Sequence, residues 1–147
     1  SYVDSNGEEQ RPVMIHRAVL GSLERFFGVM LEHFGGDLPP WLAPEQMRVL
    51  PITDEVLPYA REVADAARER GLRAEVDERS EKLGYKIREG ETQKVPYLLV
   101  IGGREAEQRT VSLRLRHRRD EGVHPLDAVL DRIETAVRAR ALSEVNE

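Results

Sequence analysis

Strand-like and helix-like segments alternate from Met47 onward, and this order restricts the possible fold more than any other feature of the chain. The segment Val95–Ile101 (VPYLLVI) is nearly all apolar and far too short to cross a bilayer, which is typical of a central strand buried on both faces. Three further segments have strand-like patterns: Met47–Ile52, Leu72–Val76 and Thr110–Leu115. Apolar residues at helical spacing predict three helices, over residues 54–70, 82–93 and 126–142.

This order of segments predicts an α/β fold. Right-handed crossovers should make the first three strands mostly parallel, and the Gly102–Arg109 connection allows the fourth strand to pair antiparallel. We therefore expect a mixed, mostly parallel sheet flanked by helices.

The beginning of the chain follows another pattern. Ser5-Asn6-Gly7 is a turn signal, and Tyr2–Val3 and Pro12–Ile15 are the expected arms of a hairpin around it. Apolar residues from Ala18 to His33 predict a helix with a broad apolar face, which Gly35-Gly36 ends. In isolation this helix should fold back, pair between copies or be loosely held.

The stretch 37–44 (DLPPWLAP) divides the chain in two. Its three prolines force an extended course and cannot join a helix or a central strand. We expect a hairpin–helix piece over residues 1–36, a proline-rich linker over 37–44 and an α/β domain over 45–147.

Composition excludes several classes of protein. A third of the residues are charged, and no apolar run approaches the ~18 residues of a membrane span. The polar N-terminus lacks the features of a signal peptide, and the absence of cysteine excludes disulfides and thiolate chemistry. We expect a soluble cytoplasmic protein without a membrane partner.

Positive charge is concentrated in one part of an acidic chain. Eleven of the 22 Lys and Arg residues lie between Arg79 and Arg119 with only five carboxylates, so this segment carries +6 while the whole chain carries −5. Such a segment is typical of a surface that binds a polyanion, above all a nucleic acid. The alternative is an ordinary solvated face, and the pattern alone leaves both open.

Motifs that would announce an enzyme are missing. The sequence has no Ser/His/Asp order, glycine-rich phosphate loop or paired-carboxylate motif, and Gly102-Gly103 is predicted to be a turn. The four histidines are too scattered to predict a metal site by spacing, and His16 taken alone is predicted to be a structural histidine.

Five stretches nevertheless resemble one family along almost the whole chain. They are Arg11–Phe26 (RPVMIHRAVLGSLERF), Trp41–Pro44 (WLAP), Glu81–Glu89 (EKLGYKIRE), Val95–Tyr97 (VPY) and Gly102. In this order they resemble bacterial-type threonyl-tRNA synthetases, class II enzymes, from their motif 3 to their C-terminal anticodon-binding domain. The resemblance implies that residues 1–36 correspond to the last piece of the catalytic domain.

The resemblance also implies roles for three residues of the first segment. Arg25 matches the motif 3 arginine that grips ATP, and Ser22 matches a serine that lines the active site. His16 matches one of three protein ligands of a zinc ion, which can coordinate the hydroxyl of threonine. Zinc and ATP/Mg are therefore expected in the full-length enzyme, and no cofactor is expected in this fragment.

In the anticodon-binding domain, Glu105 and Arg114 match residues that read anticodon bases, since Arg offers two donors to guanine and a carboxylate accepts from base N–H groups. Ser80 is a third anticodon-binding position, but family members often have Asn there, which puts that base contact in doubt. Electrostatics rather than motif assigns four further cations to the tRNA backbone: Lys82, Lys86, Arg88 and Arg116.

The expected function is recognition of the anticodon of tRNA(Thr). The parent enzyme ligates threonine to tRNA(Thr) with ATP and is expected to be a homodimer. This chain, as a C-terminal fragment without the catalytic domain as its partner, is expected to bind tRNA without catalysing the reaction. The alternative is a self-standing protein-interaction module that reuses the fold, and an apolar exposed face in place of the basic one would favour it.

Overall fold

The structure, a computed structural model, describes residues 1–117 and 119–143. It divides into two compact units, Ser1–His33 and Phe34–Glu147. No helix in the described part of the chain is long and apolar enough to cross a membrane.

The first unit contains the expected hairpin, with a different second arm. Strand β1 (Tyr2–Val3) pairs antiparallel with β2 (Glu9–Gln10) rather than with Pro12–Ile15. One carboxylate oxygen of Asp4 accepts hydrogen bonds from the backbone N–H groups of Asn6 and Glu8, at 2.8 and 3.1 Å. These bonds close a short turn, so the chain pairs as soon as it leaves that turn.

Helix α1 (Leu23–Phe34) begins five residues later than the pattern predicted. Ser22 sets the start, because its hydroxyl oxygen accepts the Arg25 backbone N–H at 3.3 Å and so caps the helix. Gly21 precedes it with a φ of 66°, a left-handed conformation outside the helix. No residue of α1 is buried, and apolar side chains such as Phe26 and Phe27 are exposed.

The second unit is built around a five-stranded sheet in the order β4-β3-β5-β6-β7. The strands are β3 (Met47–Pro51), β4 (Ala74–Val76), β5 (Tyr97–Ile101), β6 (Thr110–Leu115) and β7 (Arg119–Pro125). Strands β4, β3 and β5 are parallel, and β6 and β7 continue the sheet antiparallel. This confirms the predicted mixed α/β fold and the position of Val95–Ile101 at its centre.

The helices also follow the predicted order, with α4 (Gly103–Gln108) as an addition. They are α2 (Leu57–Glu69, after a 3₁₀ turn at Asp54–Val56), α3 (Leu83–Thr92), α4 (Gly103–Gln108) and α5 (Leu126–Arg138). The connection predicted at Gly102–Arg109 contains α4, and strand β7 was not predicted at all. Helix α5 ends before the predicted Leu142, since Arg140 has a φ of 51°, outside the helical region.

The core lies on both faces of the sheet. Alternate residues of β3, β5 and β6 pack with α2 and α5 in a large apolar cluster on one face. On the other face, Leu83 and Ile87 of α3 pack on a smaller cluster from β3 and β5 that includes Leu50 and Leu98. Helix α3 thus covers only one half of its face of the sheet.

The proline-rich segment, which the sequence predicts to be a linker, packs within the second unit. Gln46 is fully buried and donates to the carbonyl oxygen of Pro40 at 2.9 Å. Arg73 donates to the carbonyl oxygens of Trp41 and Ala43, at 3.0 and 2.8 Å. The segment turns at residues 40–42, and these two side chains satisfy carbonyl groups of Pro40, Trp41 and Ala43.

Candidate nucleic-acid interface

The uncovered half of the sheet carries polar side chains from β6 and β7. Residues directly opposite each other on antiparallel strands share a face, and Ser112 is opposite Val100 on one side and Val123 on the other. Ser112 is half-buried, and Val123 is 55% exposed. This open face, made of Ser112, Arg114, Asp120 and Val123, borders the half that α3 covers.

Arg114 lies in the middle of the open face. It is opposite Leu98 on β5 and Asp120 on β7, and its Nη1 donates to Asp120 Oδ2 at 2.6 Å. The side chain keeps 24% of its surface exposed, although its Nε is buried. Planar Arg groups on such a face suit the bidentate recognition of base edges.

Glu105 lies at the start of α4, directly after the carboxyl end of β5. Its Oε2 accepts the backbone N–H of Gly102 at 2.9 Å, which satisfies a donor that the helix leaves unpaired. The other oxygen, Oε1, has no hydrogen bond within the described residues. The predicted base-reading carboxylate therefore also caps a helix, a role that the sequence pattern did not reveal.

Ser80 and Lys82 lie in the connection between β4 and α3, at the carboxyl ends of the parallel strands. Both are exposed, and they line a cleft of about 380 Å³ that also includes Thr53 and Lys86. Within the described residues, Lys82 has no carboxylate within 4.0 Å. Crevices at this end of parallel strands are common ligand sites in α/β proteins.

The surroundings of Lys86 differ from those expected of a residue that contacts RNA. Only 3% of its surface is exposed, and its Nζ donates to the carbonyl oxygens of Pro51 and Asp77, at 3.2 and 3.0 Å. The ammonium ties the ends of β3 and β4 to α3 instead of facing solvent with Lys82. The expectation that Lys86 contacts the RNA backbone is therefore not supported.

Arg88 and Arg116, the other two cations expected to contact the tRNA backbone, differ from each other in their surroundings. Arg88 is exposed on α3, and the described residues place no carboxylate within 4.0 Å of it. Arg116 is 6% exposed and lies 4.0 Å from Asp37, which also contacts Lys94 at 3.3 Å and His117 at 3.4 Å. Arg88 is available to a phosphate, whereas Arg116 belongs to a cluster around a carboxylate.

Ion pairs neutralise much of the positive segment. Among the ten described cations of this segment, six lie within 4.0 Å of a carboxylate: Arg79, Lys94, Arg109, Arg114, Arg116 and Arg119. Most of the partners, such as Asp37 and Glu62, come from outside the segment. The charge segregation seen along the sequence is therefore much weaker in the folded chain.

One of these pairs lies at the loop that carries Ser80. Arg79 donates to both oxygens of the buried Asp77, at 2.8 and 2.6 Å, and also to Glu89 on α3. The hydrogen bond from Arg79 lowers the pKa of Asp77 below its ordinary value of 3.8. The same pair, with Glu89, raises the pKa of Arg79.

The three residues expected to serve catalysis all lie in the first unit and are exposed. The Ser22 hydroxyl donates to Glu24 Oε2 at 2.7 Å, which lowers the pKa of that carboxyl, and also caps α1. No group of three His, Cys, Asp or Glu residues in the described ranges could hold a metal ion. The described residues around His16 therefore do not by themselves supply the ligands of a zinc site.

Comparisons with known proteins agree with this architecture. Residues 46–136, more than half of the chain, match the family described as anticodon binding domain. A threonine–tRNA ligase of Syntrophomonas wolfei is 52% identical over 97% of this chain and 22% of its own length. The chain spans about a fifth of the length of the curated relatives it matches.

Solved structures give the same result. The RNA-binding domain of threonyl-tRNA synthetase from Cryptosporidium parvum Iowa II is 38% identical with a TM-score of 0.75, over 82% of this chain and 30% of that one. Prolyl-tRNA synthetase of the same organism is 26% identical with a TM-score of 0.62, over 69% and 22%. This chain therefore belongs to the family of anticodon-binding domains and is similar over most of its length to threonine–tRNA ligases.

Proposed function

We propose that this chain binds the anticodon loop of tRNA(Thr) and reads its bases with Arg114 and Glu105. The observation that carries the proposal is the open face of β6 and β7, where the partly exposed side chain of Arg114 lies beside the half of the sheet that α3 covers. The similarity to threonine–tRNA ligases supports the choice of tRNA(Thr).

Arg114 is suited to a guanine. Its planar group has five N–H donors, of which Asp120 takes one, so donors remain for guanine O6 and N7. Threonine codons begin with AC, so their anticodons contain a guanine followed by uracil. A guanidinium on an open sheet face meets the exposed edge of an unstacked base, which is how proteins usually read single-stranded RNA.

Glu105 is suited to a base N–H group. Its Oε2 is held by the Gly102 N–H, which fixes the carboxylate, and its Oε1 is left to accept a further hydrogen bond. Lys82 and Arg88 supply sequence-independent contacts to phosphates from the start and the exposed side of α3. Ser80 lines the same cleft as Lys82 and offers a hydroxyl there.

The test compares two RNAs by fluorescence anisotropy: the anticodon stem-loop of tRNA(Thr), and the same stem-loop with the anticodon guanine replaced by adenine. The wild-type chain should prefer the first RNA. Arg114→Ala should cost about 1–3 kcal/mol in binding the first RNA and little in binding the second. Equal affinity of the wild-type chain for both RNAs would contradict the proposed reading.

Glu105 needs a matched pair of variants because it has two roles. Glu105→Gln keeps an oxygen for the Gly102 N–H but replaces the second acceptor, so binding of tRNA(Thr) stem-loop should weaken while the urea midpoint stays unchanged. Glu105→Ala should weaken binding and also lower the free energy of unfolding by about 1 kcal/mol through loss of the cap. If Glu105→Gln bound as tightly as wild type, Glu105 would only cap the helix.

In the longer relatives, this function serves the ligation of threonine to tRNA, and we infer that this chain contributes to the same reaction. ATP and zinc would act in that larger enzyme, together with residues outside this chain. A homodimer and a catalytic domain would be the partners there. The alternative of a protein-interaction module gains no support, because the open face carries Ser112, Arg114 and Asp120 rather than an apolar patch.

A further inference from the structure

Strand β7 places a carboxylate directly opposite Arg114 by means of a bulge. Leu113 pairs with Gly122, but the next residue, Arg114, pairs with Asp120, so the ladder skips Glu121. Bulges change the direction in which neighbouring side chains point and are frequent beside functional sites. Here Asp120 faces Arg114, whereas Glu121 contacts Arg119 and Arg132.

The carboxylate of Asp120 is itself fixed by its own strand. Its Oδ1 accepts the backbone N–H of Gly122 at 3.0 Å, while its Oδ2 accepts from Arg114 Nη1 at 2.6 Å. Gly122 has a φ of 83°, a left-handed conformation that glycine adopts without strain. Backbone, carboxylate and guanidinium are therefore linked in one chain of hydrogen bonds.

The end of the Arg114 side chain has Asp120 as a hydrogen-bond partner among the described residues. The Nε of Arg114 is buried and has no hydrogen-bond partner among the described residues, and Asp120 is the acidic partner of Nη1. Parallel donors discriminate a guanine only when the plane of the guanidinium is aligned with the base. Without the contact to Asp120, no side-chain hydrogen bond among the described residues would fix the plane of this group.

We propose that Asp120 is a positioning residue, which holds the guanidinium of Arg114 so that its remaining N–H donors face an anticodon base. The inference rests on the proposed function and adds a residue of β7 to it. Asp120 touches no base in this role. It acts through Arg114, and its carboxylate makes the recognition of a base more specific.

A positioning role and a purely electrostatic role predict different effects when the charge of Asp120 is removed. A carboxylate close to RNA repels phosphates, so its removal should by charge alone strengthen the binding of every RNA. A positioning carboxylate should instead be needed for discrimination between two anticodons. Affinity for an unrelated anticodon and discrimination between anticodons should therefore change in opposite directions when Asp120 is neutralised.

The experiment measures Asp120→Asn against the two stem-loops described above, with the full chain. Asn keeps an oxygen that can accept the Gly122 N–H and loses the charge that holds Arg114. Discrimination should fall about tenfold, the loss of one charge-assisted hydrogen bond, while affinity for the altered stem-loop should be unchanged or higher. Unchanged discrimination in a folded Asp120→Asn chain would overturn the inference.

Glu121→Gln is the matched control, since it removes the same charge one residue along the strand from a carboxylate that contacts Arg119 and Arg132. It should leave discrimination unchanged. In an Arg114→Ala chain, Asp120→Asn should cause no further loss of discrimination, because the two residues act as one unit. A further loss there would also overturn the inference.

The outcomes separate this inference from the function on which it rests. If Arg114→Ala keeps the full discrimination, the proposed function is wrong at Arg114, whatever Asp120 does. If Arg114→Ala loses it and Asp120→Asn keeps it, only the role of Asp120 is wrong. A further test needs no substitution. In the wild-type chain, NMR should show separate Nη1 and Nη2 signals for Arg114, because Asp120 holds the guanidinium. A single averaged signal would contradict that role of Asp120.

Discussion

Lys82 and Lys86 are four residues apart, at and just after the start of α3, yet they have opposite surroundings. Their spacing predicts one shared side of α3, and both were expected to contact RNA. The structure exposes Lys82 and buries Lys86 under the ends of β3 and β4. The sequence could not show this difference, because the carbonyl oxygens that bind Lys86 come from Pro51, 35 residues away, and Asp77.

Lys86→Met tests this assignment, since Met keeps the apolar stem and removes the ammonium. It should lower the free energy of unfolding by about 2 kcal/mol, because two buried carbonyl groups lose a charged donor. Urea denaturation measures the change. Lys82→Ala is the control and should change stability by less than about 0.5 kcal/mol while weakening the binding of both stem-loops. The reverse pattern would contradict the burial of Lys86.

The Asp77–Arg79 pair makes stability depend on pH. The folded-state pKa of Asp77 lies below its ordinary value of 3.8, so the pair stabilises the fold above that pH and this contribution is lost as the pH falls through the lowered pKa. Urea midpoints at about pH 7 and about pH 3 should therefore differ less in Asp77→Asn than in wild type. Glu75→Gln, which changes an exposed carboxylate of β4 two residues before Asp77, should behave like wild type.

At the level of elements, the pattern along the chain was sufficient where burial is periodic. Strands β3, β5 and β6 alternate or are continuously apolar, and α2, α3 and α5 have one apolar stripe, so each was predicted. Strand β7 has no such pattern, since Val123 is its one strongly apolar residue and is exposed. It is a strand because β6 offers an unpaired edge, which is a tertiary cause.

The packing of α3 on the sheet depends on a glycine. A Cβ on Gly90 would lie 2.7 Å from Cδ2 of Leu98, a side chain that is 1% exposed and cannot easily move. Gly90→Ala should therefore destabilise the chain by about 1–3 kcal/mol, although Ala favours helices. Gly84→Ala in the same helix has open space around its Cβ and should be neutral or stabilising by up to about 1 kcal/mol. Thermal unfolding measures both changes: the midpoint temperature should fall for Gly90→Ala and should stay the same or rise for Gly84→Ala.

At the level of the whole molecule, pairing changes the meaning of the charge pattern. Among the described cations of the segment from Arg79 to Arg119, only Lys82, Arg88 and Arg104 are without a carboxylate within 4.0 Å while also lying outside the core. A basic stretch with a net charge of +6 therefore presents a moderately basic surface. Specific contacts then have to supply more of the affinity than a strongly basic face would require.

This predicts a weak dependence of RNA binding on salt. Three or four phosphate contacts should give a slope of log K against log salt between about −2 and −3, whereas all eleven cations of the segment would give roughly −8. A titration of stem-loop binding with KCl measures the slope. A slope steeper than about −6 would show that the ion pairs open when RNA binds.

The sequence alone determines the order of strands and helices and the buried central strand, because the spacing of apolar residues in each segment sets which of them are buried. The family resemblance rests on short stretches of sequence and is also visible without the structure. The sequence does not determine which cations are available to bind RNA. Whether a cation faces a phosphate, a carboxylate or a carbonyl depends on partners brought from distant positions, as with Asp37, Asp77 and Pro51. Folding creates these pairs across the sheet, so only the folded chain shows that Asp120 anchors Arg114 and that Lys86 is structural.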